Sequence, residues 1–174
     1  MHCCEQVVAI PGYFDGNHIT DAGCTVPKTG YERHGKPVVN EQVTFKFQDV
    51  MGGLVTTWDA GEAYHLTTSQ DSGLKMQAVV VASIGTLNIT HAEAPNVFPK
   101  TVGFQTQSCE NAWGSDMAHF NHTMRWNAPA DVPAAGLCVE FSAAQASDKR
   151  SAYQVNTVCL LYMFSKCTCC WDLG

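Results

Sequence analysis

From residue 41 onward, apolar and polar positions alternate with a period of two, the pattern of strands that bury one face. Val43, Phe45 and Phe47 stand against Thr44, Lys46 and Gln48, and Ala63-Tyr64-His65-Leu66-Thr67 mixes aromatic and aliphatic residues with polar ones. Further strands are expected over Leu74 to Ser83, Thr101 to Gln107, His119 to Trp126, Leu137 to Ala144 and Tyr153 to Phe164. Gly52-Gly53, Asp59-Ala60-Gly61, Asp71-Ser72-Gly73, Ala94-Pro95-Asn96, Asn127-Ala128-Pro129 and Ala146-Ser147-Asp148 punctuate them with residues that favour turns. About seven short strands at this spacing predict an all-β protein, an antiparallel β-sandwich. Helix is hinted at only by Ala143 to Ala146 and by Ser108 to Ala118, where Gly114 and mixed polarity weaken the case.

Residues 1–40 have a different texture. Pro11-Gly12, Asp15-Gly16-Asn17, Asp21-Ala22-Gly23, Lys28-Thr29-Gly30 and His34-Gly35-Lys36-Pro37 follow one another with no periodic apolar pattern. A chain of 174 residues suits one well-filled core with decorated ends better than two cores. The expected organisation is a turn-rich extension over 1–40, a sandwich over 41–164 and a Cys-rich tail over 165–174. The extension has too few periodic apolar residues to offset an ordering entropy of about 1–2 kcal/mol per residue. Both ends are therefore expected to fold against the sandwich, held by cysteine.

Charge narrows the function. Charged residues make up 15% of the chain, against about 25% in ordinary globular proteins, and the net charge is −6. Basic residues are scattered as singles apart from Lys149-Arg150, so no stripe could neutralise a phosphate backbone and nucleic acid is not an expected partner. The longest apolar runs, such as Val79-Val80-Val81-Ala82 and Val158-Cys159-Leu160-Leu161-Tyr162-Met163-Phe164, fall far short of the roughly 20 residues of a membrane-spanning helix.

The sequons Asn88-Ile89-Thr90 and Asn121-His122-Thr123, together with spaced cysteines, suit an oxidising, extracellular setting, with Asn88 and Asn121 as glycan acceptors at the surface. Secretion requires a leader. Met1 to Gln6 lacks a basic start and Val7-Val8-Ala9-Ile10 is too short for its apolar region, so the leader is expected outside the sequence given.

Gly61-Glu62-Ala63-Tyr64-His65-Leu66-Thr67, a Val/Ala strand, Cys109, the run His119 to Pro129 with its Trp-x-Ala-Pro ending, Gly136-Leu137-Cys138-Val139-Glu140-Phe141 and a closing Cys159 occur in this order. Their order and spacing resemble the reeler domain, an immunoglobulin-like sandwich at the N-terminus of reelin and spondins and in invertebrate defence proteins. The resemblance covers roughly residues 41–164. It implies a disulfide framework in which Cys24, ahead of Cys3 or Cys4, pairs with Cys109, and Cys138 pairs with Cys159. Spacing alone leaves connectivity open, although Cys138 and Cys159 on successive strands are well placed to cross-link neighbours.

Cys3, Cys4, Cys167, Cys169 and Cys170 remain, an odd number, and have no counterpart in that framework. They are expected to staple the termini to the sandwich or to join another chain. A thiolate metal site competes poorly with that expectation, since adjacent cysteines do not easily point at one ion. His119 and His122 could ligate copper or zinc from a loop, but on a strand their imidazoles point to opposite faces, so surface histidines are expected and no metal or cofactor. Trp126 is expected in the core, whereas Trp113, within the loop-like Asn111-Ala112-Trp113-Gly114-Ser115, is an expected exposed contact residue.

The chain lacks a Gly-x-Ser-x-Gly elbow, a phosphate loop, a dinucleotide fingerprint and a His-Glu-x-x-His helix. Asp59 and Glu62 flank a turn beside Trp58 and have the look of a solvated loop. The function expected is a secreted, non-catalytic module of adhesion or assembly, with a protein or glycan partner or a second copy of itself. Two alternatives stand beside it: a small metal-binding or redox protein using the Cys-rich tail with His119 and His122, and an accessory subunit of a larger complex.

Overall fold

The computed structural model describes residues 24–26, 37–89, 103–106, 109–115, 118–132, 138–146 and 154–163. Cys3, Cys4, Cys167, Cys169 and Cys170 lie outside the described residues, as does most of 1–40. The described residues are all-β, with eleven strands and no helix. In chain order they are β1 (Val38–Val39), β2 (Val43–Asp49), β3 (Thr57–Trp58), β4 (Ala63–Gln70), β5 (Gln77–Ala82) and β6 (Thr86–Ile89), then β7 (Gly103–Thr106), β8 (Cys109–Ser115), β9 (Asn121–Asn127), β10 (Cys138–Ala146) and β11 (Gln154–Tyr162).

Two sheets face each other. The larger has the order β1-β11-β10-β5-β8-β7, with β3 also on β11, and the smaller has the order β2-β4-β9-β6. All pairings are antiparallel except those of β1 and β3, which each run parallel to β11. The connection from β2 to β4 leaves the smaller sheet, lays Thr57 and Trp58 beside Leu161 and Tyr162, and returns. That crossing buries Trp58 completely and closes one side of the sandwich.

Inward positions follow the expected alternation. Val43 and Phe47 of β2, Tyr64 and Leu66 of β4, Met124 and Trp126 of β9, and Val139 and Phe141 of β10 share one apolar cluster. Trp126 is its centre: its ring stacks on Tyr64 at 5.6 Å and meets Trp58 and Phe141 edge-on at 5.7 and 5.0 Å, while its Nε1–H donates to the Ile84 carbonyl at 3.0 Å. Gly85 makes the turn above it. Its φ of +78° favours glycine, and a Cβ there would lie 2.5 Å from the Asn127 carbonyl oxygen and from Trp126 Nε1.

A second cluster covers the outer face of the larger sheet. Val26 packs with Val79, Val81, Ala112, Ala144 and Ala146 beside the Cys24–Cys109 disulfide. β5 is thus buried on both faces, which is why Gln77–Ala82 is nearly continuous in apolar residues instead of alternating.

Two helix hints are corrected by this layer. Ser108 to Ala118 contains strand β8, and Ala143 to Ala146 is the end of β10, whose Ala143 and Ala144 face opposite clusters. Trp113 is likewise corrected: it is a β8 core residue with no exposure, not a loop contact.

Farther along the same strands the interior becomes polar. Gln145 Nε2 donates to Thr68 Oγ1 at 3.0 Å, Gln70 Nε2 and Asn40 Nδ2 both donate to Gln154 Oε1, and Ser115 Oγ accepts from the Ala78 amide at 2.8 Å. These bonds give partners to the Nε2 groups of Gln70 and Gln145 and to Ser115 Oγ, as buried polar groups require.

Candidate functional site

Where β2 ends and its connection crosses to β11, the surface opens into a cleft of about 560 Å³, within the range of ligand pockets. Its walls come from distant parts of the sequence. Val55, Ala60 and Tyr162 pack on the core cluster and form an apolar floor, with Tyr162 against Trp58 at 4.8 Å between ring centroids. Val50 and Met163 line the cleft while remaining exposed, and Met51 and Leu54 are exposed on the same connection.

Three carboxylates, Asp49, Asp59 and Glu62, stand among these walls, and none of the described lining residues is Lys or Arg. Asp49 is held in place because Oδ1 accepts the Met51 and Gly53 amides at 2.9 and 2.8 Å, which closes the turn after β2. The turn carrying Asp59 and Glu62 is pinned to the far end of β9. The Gly61 amide donates to the Pro129 carbonyl at 3.0 Å, and the Ala128 amide donates to the Glu62 carbonyl at 2.9 Å. The acidic wall is therefore backed by backbone hydrogen bonds.

Tyr64 joins the cleft to the core. Its ring is buried on Trp126, and its hydroxyl oxygen accepts the Asp59 amide at 2.7 Å. Burial pushes the phenol above its ordinary value of 10.0; the Asp59 amide acts the other way, and the charges of Asp59, Glu62 and Asp49 push it up again. The hydroxyl thus keeps its proton, which it can donate to an acceptor in the cleft. The arrangement supplies negative charge, apolar contact and one neutral donor, the ingredients of a binding site.

The residues singled out in the sequence lie elsewhere. Cys24 is bonded to Cys109, and Cys138 to Cys159; the second bond lies on the outer face of the larger sheet, where Cys159 is exposed. Asn121 is exposed at the start of β9, and Asn88 is half-buried with Nδ2 3.4 Å from Thr86 Oγ1. Thr123 of the second sequon is buried and shares a hydrogen bond with Thr67 across the strands at 2.9 Å.

The histidines need correction. His119 and His122 do not point apart: their rings meet edge-on at 5.7 Å. His119 sits in an isolated bridge to Met76 and Phe120 in a bend, so the strand geometry that would separate the rings starts only at Asn121. Nor is His122 a surface residue. It is 1% exposed, its Nε2–H donates to the Met76 carbonyl at 2.6 Å, and its ring lies 5.6 Å from that of Trp113. Among the described residues no three His, Cys, Asp or Glu side chains gather as a metal site would require.

No family model and no curated protein matches the chain. Among solved structures, the chain is similar to a fragment of the human F-spondin reeler domain, with 18% identity over 71% of this chain and 94% of that one and a TM-score of 0.48. The Reelin-N domain of F-spondin gives 19% identity over 71% and 91%, also at 0.48. A DUF4466 family protein from Parabacteroides merdae gives 17% over 71% and 44%, at 0.40.

Proposed function

We propose that this protein is a secreted, non-catalytic module that works by binding, in adhesion or assembly. The observation that carries the reading is the pair of disulfides. One ties the segment before β1 to β8, the other bridges β10 and β11, and bonds of this kind persist in oxidising compartments. Exposed Asn121, in its sequon, supports the same compartment. The partner is a protein, a glycan or a second copy of the chain. The extensions 1–40 and 165–174 dock on the sandwich, where their five further cysteines staple them or couple to a partner.

Peptide mapping of the secreted protein without reduction, glycans retained, tests this. The expected result is Cys24 linked to Cys109, Cys138 linked to Cys159, and glycan on Asn121. Free thiols at those four positions in the intact protein would remove the reading.

The approach of His119 to His122 favours a second reading, a metal-binding protein. Two imidazoles fall short of the three or four protein ligands of a zinc centre, so it needs donors from the Cys-rich tail. Stoichiometric copper, zinc or iron in the purified protein would put this reading first.

A further inference from the structure

We infer that the cleft beside Tyr64 takes a basic peptide segment of a protein partner, seating a Lys or Arg side chain; this rests on the reading of the chain as a binding module. The side chain's aliphatic stem would lie on the floor made by Val55, Ala60 and Tyr162, and its cationic head would reach Asp59 and Glu62. Long basic side chains combine these two needs, apolar contact along the stem and charge at the tip. The acidic residues belong to a cavity whose floor is continuous with the core.

Charge complementarity selects the occupant. Among the described residues the lining carries carboxylates and no basic residue, on a chain whose net charge is −6. An acidic peptide or a sulfated glycan would meet like charge, and the cost of that juxtaposition rejects it. Backbone bonds to Asp49 and to the Asp59–Glu62 turn fix two parts of the acidic wall before a ligand arrives, which lowers the ordering cost of binding. The protonated Tyr64 hydroxyl offers a hydrogen bond to a peptide carbonyl, a feature that a small ammonium ion, which has no acceptor, could not use. Exposed Val50, Met51, Leu54 and Met163 extend the contact to the apolar neighbours of the basic residue.

The probe is the peptide acetyl-Leu-Lys-Leu-Arg-Leu-amide, titrated into the ¹⁵N-labelled full chain and followed by amide chemical shifts. Saturable shifts are expected at residues 49–64 and 162–163, weakening as salt is raised. The double variant Asp59→Asn/Glu62→Gln should bind about 10-fold more weakly, the ~1.4 kcal/mol that two rim charges supply. Glu62 is exposed and Asp59 half-buried, both substitutions keep side-chain size, and unchanged spectra away from the cleft will show that the variant keeps its fold.

Equal affinity for acetyl-Leu-Glu-Leu-Glu-Leu-amide, unchanged binding by the double variant, or absence of shifts at the cleft each overturns the inference. So does occupation by the chain's own basic stretch, which holds Lys28, Arg33 and Lys36. Carbodiimide treatment of the full chain would then link Asp59 or Glu62 to Lys28 or Lys36 within one molecule. Failure here leaves the disulfide and glycan map unaffected, and failure of that map leaves the titration interpretable.

Discussion

The two ends of the sandwich interior are built from the same strands and held by different physics. β4 carries Tyr64 and Leu66 and then Thr68 and Gln70; β9 runs from Trp126 and Met124 to His122; β10 runs from Phe141 and Ala143 to Gln145. At the first end five rings, of Phe47, Trp58, Tyr64, Trp126 and Phe141, contact one another in stacked, tilted and edge-on pairs. Apolar burial and dispersion act there, without direction, and tolerate little loss of volume. At the second end amides and hydroxyls must find particular partners, and the gain from each bond is small beside the cost of leaving one unmade.

The polar end is not fully satisfied by protein. Oε1 of Gln70 and Oε1 of Gln145 are buried with no hydrogen-bond donor among the described residues. A buried water could donate to such oxygens. The aromatic end gives Trp126 a partner through its bond to Ile84 but leaves Trp58 Nε1 buried with no acceptor among the described residues. The first end supplies stability and the second, through its pairings, specifies which strands face each other. The cleft opens beside the aromatic end, where its floor packs on the core.

Trp126→Ala is the change expected to break the comparison most strongly. It empties the centre of the aromatic end and should cost about 3–5 kcal/mol in chemical denaturation. A variant that melts like the parent would show that the rings do not carry the fold. Gly85→Ala strikes the same end from the turn above, through a positive φ and a contact with backbone that cannot yield. We expect about 2–3 kcal/mol, read as a lowered denaturation midpoint with an unchanged slope.

The polar end responds by pairs instead of by volume. Thr68→Val leaves Gln145 Nε2 buried without its acceptor and should cost about 1–3 kcal/mol, whereas Thr68→Val/Gln145→Leu removes both partners and should return to within about 1 kcal/mol of the parent. If the double variant is the less stable of the two, that end is held by packing, like the other.

The sandwich was legible in sequence where one strand face is buried and the other is not, as in Val43–Asp49 and Ala63–Gln70. Where both faces are covered, β5 was still legible through its Val-rich run, but β8, built from small and mixed residues, was not. In β8, Ala112 faces Val79 and Val81 while Trp113 faces the core, so small residues chosen for close packing resemble those of a loop. The alternation of Trp113 with Ser115, both inward, was the signal available. Thr68, Gln70, His122 and Gln145 were hidden for another reason: a polar residue on a strand is by default an outward one. The cleft is assembled from the end of β2, a turn, the start of β4 and the end of β11, and no local pattern unites residues that far apart.

Tyr64 belongs to the aromatic end by its ring and to the cleft by its hydroxyl, and it gives the smallest effect. Its phenol titrates above 10.0 in the folded protein, chiefly through burial, so the folded state holds the proton more tightly than the unfolded chain. The sign follows: the associated stability is fully present below pH 10, where both states are protonated, and is lost as pH rises through the folded value. Tyr64→Phe removes that dependence along with the bond from the Asp59 amide, so it should lower stability at neutral pH by about 0.5–1.5 kcal/mol and flatten the alkaline limb of the stability curve. Parent and variant curves that stay parallel above pH 10 would show that the hydroxyl is solvated in the folded state, and the cleft would then lose its neutral donor to the open solvent.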